Sequence, residues 1–228
     1  MSSHYEKLSH RLALMEARAC EINRKFLALS VNPQVCIEQA IMNYRVSNAT
    51  VALMKEVIRC SARYDENEVL QPLVRYMKKH IPEEAGHDEW FLDDLTVLGV
   101  SREEVKAKLP NSNISSLIGS QYYWINHVHP VAFMGYLFCS ETHHPTVEYV
   151  EKLIANSGLP AEGFSSLMHH AKLDVHHKED IINVLNGLPL TEDLLKIVEM
   201  SAFQTYRYIA LVMEDVCKTA PIVQKAIA

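Results

Sequence analysis

Glycine and proline are scarce in this chain, with 7 Gly and 9 Pro in 228 residues. So few helix breakers argue for long helices joined by few turns. No stretch alternates apolar and polar residues over a strand's length, which argues against a sheet. Basic runs are absent and the formal net charge is −6 with His neutral, so no nucleic-acid partner is expected. No apolar run approaches the ~20 residues that span a bilayer, and Met1–Lys7 is polar with no signal-peptide core, so no membrane association is expected. The five cysteines, Cys20, Cys36, Cys60, Cys139 and Cys217, are odd in number, scattered and without a CxxC pair. That pattern argues against a disulfide framework or a thiolate zinc site and fits a reducing cytoplasm.

What the chain does contain is helical periodicity. Ser2 or Ser3 can cap a first helix reaching about Ser30, with Leu8, Leu12, Met15, Ala19 and Ile22 as its inner stripe. Asn32-Pro33 starts a second helix that reaches about Tyr64. A third runs from about Leu70 to Gly99, and Pro82 inside it predicts a bend or break just before the proline. Ser101–Glu104 is a capping box opening a short helix. A long apolar and aromatic segment follows from Ser115 to Glu141, kinked at Pro130 and almost wholly apolar from there to Ser140. Amphipathic segments at 146–157, 164–185 and 191–217 complete the pattern, each bounded by Gly, Pro or a capping Thr. The expectation is one all-α domain spanning residues 1–228, a bundle of about seven main helices.

Histidine is the one unusual count, at 12. In His169–His177, a helix of 3.6 residues per turn puts His170, Asp174 and His177 on one stripe. That stripe would ordinarily be apolar. The third helix repeats the arrangement with His80, Glu84 and His87, again at i, i+4 and i+7. Glu83 lies off that stripe but within reach of a long side chain. Imidazole plus carboxylate is the ligand set of Fe(II), Mn(II) or Zn(II). Helical bundles build two-metal carboxylate sites from inward Glu and Glu-x-x-His elements, a form that Glu84-x-x-His87 shows and Asp174-x-x-His177 parallels. Glu141, ending an apolar segment, is the candidate further carboxylate: it stands either at the segment's surface exit or buried, and burial would imply a cation or metal beside it.

The remaining polar residues have plainer readings. His169 and His176 point away from the stripe, and His143 and His144 read as a solvated helix end. His127 and His129 precede Pro130 and lie ~18–21 Å along a helix from Glu141, too far to share its ion. Cys139 reads as core, since nothing near it in sequence would lower its pKa. Tyr122, Tyr123, Trp124, Tyr206 and Tyr208 read as packing residues.

Taken together, Glu84-x-x-His87, then Pro130-x-x-x-x-Gly135-Tyr136-x-x-x-x-Glu141, then His170-x-x-x-Asp174-x-x-His177 resemble the haem-oxygenase-like superfamily. Within it the chain is most similar to the haem-oxygenase-like di-iron or metal oxidases, the iron-containing redox enzymes. The likeness runs from about residue 35 to 210. It implies a haem-oxygenase-like fold, often dimeric, and a non-haem iron centre that activates O2 for chemistry on a small molecule. Residue by residue, it implies Glu141, His170, Asp174 and His177 as ligands, with His87 matching the histidine of the earlier helix. Where the family places a Glu seven residues before that histidine, this chain has His80, so His80, Glu83 or Glu84 completes the site. A single ion is therefore as open as a pair.

The functional expectation is an O2-dependent non-haem iron oxidase or oxygenase, holding one or two Fe ions, with Mn or Zn as other candidates. Its metal ligands are Glu84, His87, Glu141, His170, Asp174 and His177, with Glu141 and Asp174 also acting in catalysis. A cytoplasmic homodimer whose partners are O2 and a small-molecule substrate completes the expectation. The alternative is a metal-free enzyme or binder of a small heterocycle, like thiaminase II or pyrroloquinoline-quinone synthase. Cys139 lacks a convincing Cys-x-x-x-Tyr context for the first, and basic residues are few for the second. His10 is a weak candidate for a proximal haem ligand.

Overall fold

A computed structural model describes residues 2–64, 68–142 and 145–220, with the side chains of 173–176 outside the description. Among the described residues there is no strand, and ten α-helices occur. They are α1 (His4–Leu29), α2 (Pro33–Ser61), α3 (Leu70–Glu84), α4 (His87–Val97), α5 (Arg102–Ala107), α6 (Ser112–Tyr123), α7 (Phe133–Thr142), α8 (Val147–Ser157), α9 (Ser165–Gly187) and α10 (Glu192–Lys218). No helix is long and apolar enough to cross a membrane among the described residues.

Most ends follow from local chemistry. Ser3 accepts the Glu6 N–H while the Glu6 carboxylate accepts the Ser3 N–H, closing a capping box on α1. Asn32 caps α2 with Pro33 in its first turn, and Thr191 caps α10. The capping box at Ser101 and Glu104 forms as its sequence indicates.

Two breaks differ from the expected positions, and they raise the helix count above seven. The third helix does not break before Pro82. It continues to Glu84, and the chain turns at Gly86, whose φ of 94° favours glycine. Pro82 sits in the last turn, so the backbone bond it removes is close to where the helix ends anyway. The apolar segment, in turn, is fully interrupted rather than kinked. A turn of π-helix at Trp124–Val128 leads to His129 in an extended conformation (φ −165°, ψ 137°), then a 3-10 turn at Pro130–Ala132. The residue before a proline is pushed out of the helical region, which is why the break falls on His129.

His129 is buried, and its Nδ1 accepts the Val131 N–H at 3.1 Å. Burial holds its imidazole below the ordinary value of 6.5. The fold therefore favours neutral His129. Its contribution is present above the unfolded pKa and is lost as pH falls through the lower folded one. The melting temperature is expected to fall from about pH 7.5 to about pH 5.5, with a shallower slope in His129→Asn, which keeps an acceptor and cannot protonate. Calorimetry of both proteins checks this, and parallel slopes would refute it.

α7 is buried on all sides, as an evenly apolar helix must be. It lies between α10 and α9, while α10 also packs on α1 and α6. α2 packs on α3, α4 and α6. The ends of α3 and α4 thus converge with α7 and α9 on one point inside the bundle.

Candidate metal centre

That convergence brings His80 and Glu84 from α3, Glu141 from α7 and His177 from α9 together. One ligand atom from each lies within 4.8 Å of the others. His80 Nε2 is 3.8 Å from Glu84 Oε1, and His177 Nδ1 is 3.8 Å from Glu84 Oε1 and 3.3 Å from Glu141 Oε2. The other Glu84 oxygen, Oε2, is 3.3 Å from His87 Nδ1. The His87 ring meets His170 edge-on, with centroids 4.9 Å apart, and His80 meets His177 in the same way at 5.0 Å. Glu84 therefore stands between two groups: His80, Glu141 and His177 on its Oε1 side, His87 and His170 on its Oε2 side. Asp174 lies on α9 between His170 and His177, but its side chain is outside the described residues.

His80, Glu84 and His87 do not share one continuous helix stripe. His87 is the first residue of α4, and the turn at Gly86 swings it toward the centre. Glu83 faces away from the group, with a side chain 35% exposed, and holds His80 from outside: its Oε2 is 2.9 Å from His80 Nδ1. A carboxylate only accepts there, so Nδ1 carries the proton and Nε2 presents a lone pair to the centre. His170 is set likewise, its Nδ1–H donating to the Ser166 carbonyl at 2.8 Å, which leaves the lone pair on Nε2. Such outer hydrogen bonds are how metal-binding imidazoles are oriented.

Residues without sequence warning complete the support. Asp94, buried on α4, accepts the Ser166 N–H at 2.9 Å and so caps the first turn of α9, whose own N-cap Phe164 supplies no side-chain bond. Tyr76 stacks on His80, Trp90 on His87 and Phe91 on His170. Asp94 follows His87 by seven residues and Tyr76 precedes His80 by four. That helical spacing is the only signal that could have found them.

The electrostatics are compatible with a cation held among these groups. Burial acts to raise the Glu84 carboxyl, but its close contact with His87 and the nearby His80 and His177 hold it below the ordinary carboxylate value. His80 Nε2 and His87 Nδ1 are buried and make no hydrogen bond of good geometry. A purely structural histidine cluster would leave each such atom costing about 1–3 kcal/mol. Metal–ligand bonds of about 2.1 Å place ligand atoms roughly 3–4.2 Å apart, and the separations of 3.8, 3.8 and 3.3 Å among these side chains lie in that range. The donor set of imidazoles and carboxylates fits Fe(II), Mn(II) or Zn(II). A cavity of 180 Å³ reaches the centre, lined by Glu84, Glu141 and His170 together with Phe91, Tyr136 and Leu167.

The other candidates lie elsewhere. His10 and His127 are exposed, and His129 serves the break before Pro130. Cys139 is buried, its Sγ donates to the Ala202 carbonyl, and burial pushes its thiol well up, which describes a resting core thiol. His143 and His144 lie outside the described residues.

Comparison with known proteins gives the same picture. No curated protein sequence matches the chain. Solved structures share its fold, three of them as follows. A domain of unknown function with a haem oxygenase-like fold from Shewanella denitrificans is 19% identical, with a TM-score of 0.74 over 90% of this chain and 91% of that one. A TenA homolog from Pseudomonas syringae is 14% identical, with a TM-score of 0.72 over 93% and 92%. A CADD-like protein of unknown function from Nostoc punctiforme is 14% identical, with a TM-score of 0.60 over 94% and 99%. The fold is thus all-α and haem oxygenase-like. The sequence profile described as iron-containing redox enzyme matches residues 42–206, the stretch that holds every residue of the centre. The chain belongs to the iron-containing redox enzyme family.

Proposed function

We propose that this protein is a non-haem iron oxidase or oxygenase that uses O2 to oxidise a small organic molecule, working as a cytoplasmic homodimer. The observation that carries the reading is the buried group of His80, Glu84, Glu141 and His177, in which His80 Nε2 is buried without a hydrogen bond. Iron held there supplies the one-electron steps that O2 needs to react with a closed-shell molecule. The rest is the work of the chain's own residues. His80, Glu141 and His177 would hold one ion with Glu84 Oε1. His87 and His170 would hold a second with Glu84 Oε2, joined by Asp174 from the same turns of α9. Phe91, Tyr136 and Leu167 wall the adjoining cavity and keep bulk water from the reacting groups. The Tyr136 hydroxyl is fixed by Thr50 at 3.1 Å, so its ring is a rigid wall.

The metal-free alternative, a TenA-like enzyme, would need a nucleophile in the pocket. The buried, raised thiol of Cys139 is a poor one. Metal analysis of protein produced with added iron, followed by O2 uptake, tests the proposal. Wild type is expected to hold one or two Fe per chain, and His170→Ala to lose at least one Fe position and the O2 uptake. An iron-free wild type, or a His170→Ala protein that matches wild type in both, would sink it.

A further inference from the structure

Three aromatic rings stack on imidazoles of the centre, and they differ in what they can do. Phe91 on His170 is not readily oxidised. Tyr76 on His80 is buried, and its hydroxyl makes no hydrogen bond, so no group stands ready to take the phenol proton. Trp90 on His87 is both oxidisable and open. Its ring centroid is 4.2 Å from that of His87 at an interplanar angle of 29°, a stacked contact. It also reaches the surface: the indole is half-buried and lines a cavity of 210 Å³ with Asp93, Asp94, Ser165, Ser166 and His169.

The carboxylates of that cavity are already engaged. Asp93 pairs with Arg102, and Asp94 accepts the Ser166 N–H. What the cavity offers a visitor is the indole and the exposed His169 imidazole, edge-on to it with centroids 4.7 Å apart. The other tryptophan, Trp124, is placed differently. Its Nε1 donates to Gln204 at 2.6 Å, and its ring meets Tyr123 rather than an imidazole of the centre. Trp90 Nε1 makes no hydrogen bond among the described residues, so its proton can leave to solvent. Shielding alone is met by a phenylalanine, as at His170. What an indole adds is an electron that a strong oxidant can take.

Such an oxidant arises whenever O2 reacts at iron with no substrate bound. O2 needs four electrons to become water, and ferrous iron supplies only part of them. A bound substrate gives the rest; without one, oxidising equivalents are left among the chain's own side chains. We propose that Trp90 is a redox relay that carries these equivalents out of the centre, and that the cavity beside it admits the small one-electron donor, an enediol such as ascorbate, that restores the indole. One electron passes from the indole across the His87 ring to the oxidised iron, and the Nε1 proton leaves to solvent, giving a neutral indolyl radical. The donor then gives up one electron, and the indole takes a proton back from solvent. The iron is reduced by one electron, the donor is oxidised by one, and the chain is unchanged. The relay rests on the proposed function, because the oxidant is made at that iron.

Full-length protein loaded with Fe(II) and exposed to O2 without substrate tests the relay. Freeze-quench electron paramagnetic resonance is expected to show an organic radical whose lines narrow when the tryptophans carry ring deuterium. After repeated additions of O2, peptide mass spectrometry should find oxygen adducts on Trp90 and none on Trp124, and ascorbate should suppress them. Trp90→Phe keeps a ring on His87, so its iron content should match wild type while the indolyl signal is lost and adducts move to other residues of the centre. Trp124→Phe should leave the signal as in wild type. An iron-loaded wild type that consumes O2 yet shows no indolyl radical and an unoxidised Trp90 would overturn the relay alone. So would a signal that survives in Trp90→Phe, or equal adducts on the two tryptophans. A wild type that takes up no iron, or leaves O2 unconsumed when loaded, overturns the proposed function and the relay with it.

Discussion

Glu84→Gln is expected to lower iron affinity on both sides of the centre by more than about 100-fold, because among the described side chains Glu84 is the one carboxylate facing both imidazole groups. Its Oε1 serves the His80, Glu141 and His177 side, and its Oε2 the His87 side. Removing the charge leaves, among the described side chains, no anion shared by the two groups. Glu83→Gln is the informative neighbour. Glu83 touches only the outer nitrogen of His80, so its loss should cost about 10–100-fold and only on the His80 side, as for other residues that orient a ligand from outside. Iron titration of the two variants beside wild type reads both effects. Comparable losses in the two would mean that Glu84 is not the bridging group.

The sequence carried the helices and the residue types of this centre, and lacked its connectivity. His80 and Glu84 are written in helical spacing and meet as that spacing requires, whereas His170 and His177, on one stripe of α9, reach opposite sides of Glu84. His87 falls on the same count from His80 but arrives by another route, through the left-handed turn at Gly86. Spacing on one ideal helix could not show that Glu84 and His87 lie on either side of a break. The roles of Glu83 and Glu84 were also undecidable from spacing alone. Two adjacent carboxylates differ by 100° around a helix, and only the position of α7 and α9 says which one faces inward. Asp94 shows the third kind of blindness. Its work is to cap a helix some seventy residues later, and no local pattern encodes a cap supplied from another helix. Glu141 was legible for the opposite reason. A carboxylate closing an apolar segment had either to exit at the surface or to find a partner inside, and α7 buries it beside His177.

The largest effect on the fold itself is expected at Gly135, the glycine of the Pro130–Glu141 segment. A Cβ at Gly135 would stand 2.4 Å from the Val198 carbonyl oxygen and 2.6 Å from the Ala202 nitrogen. Both are backbone atoms of α10, so no rotamer change relieves the clash. α7 and α10 would have to move apart, and α7 carries Glu141 into the centre. Gly135→Ala is therefore expected to cost about 3 kcal/mol or more, at the upper end for overpacking. For a chain of this size that lowers the melting temperature by roughly 6–12 °C. It should also weaken iron binding, although Gly135 touches no ligand. Gly119 supplies the control. It lies in α6 with nothing within 4 Å of a Cβ, so Gly119→Ala gains helix propensity and should stabilise by about 0.5–1 kcal/mol. The same chemical change is thus expected to have opposite signs in two helices of one protein. Thermal melts of both variants decide it, and a Gly135→Ala protein as stable as wild type would show that α7 and α10 are not in backbone contact there.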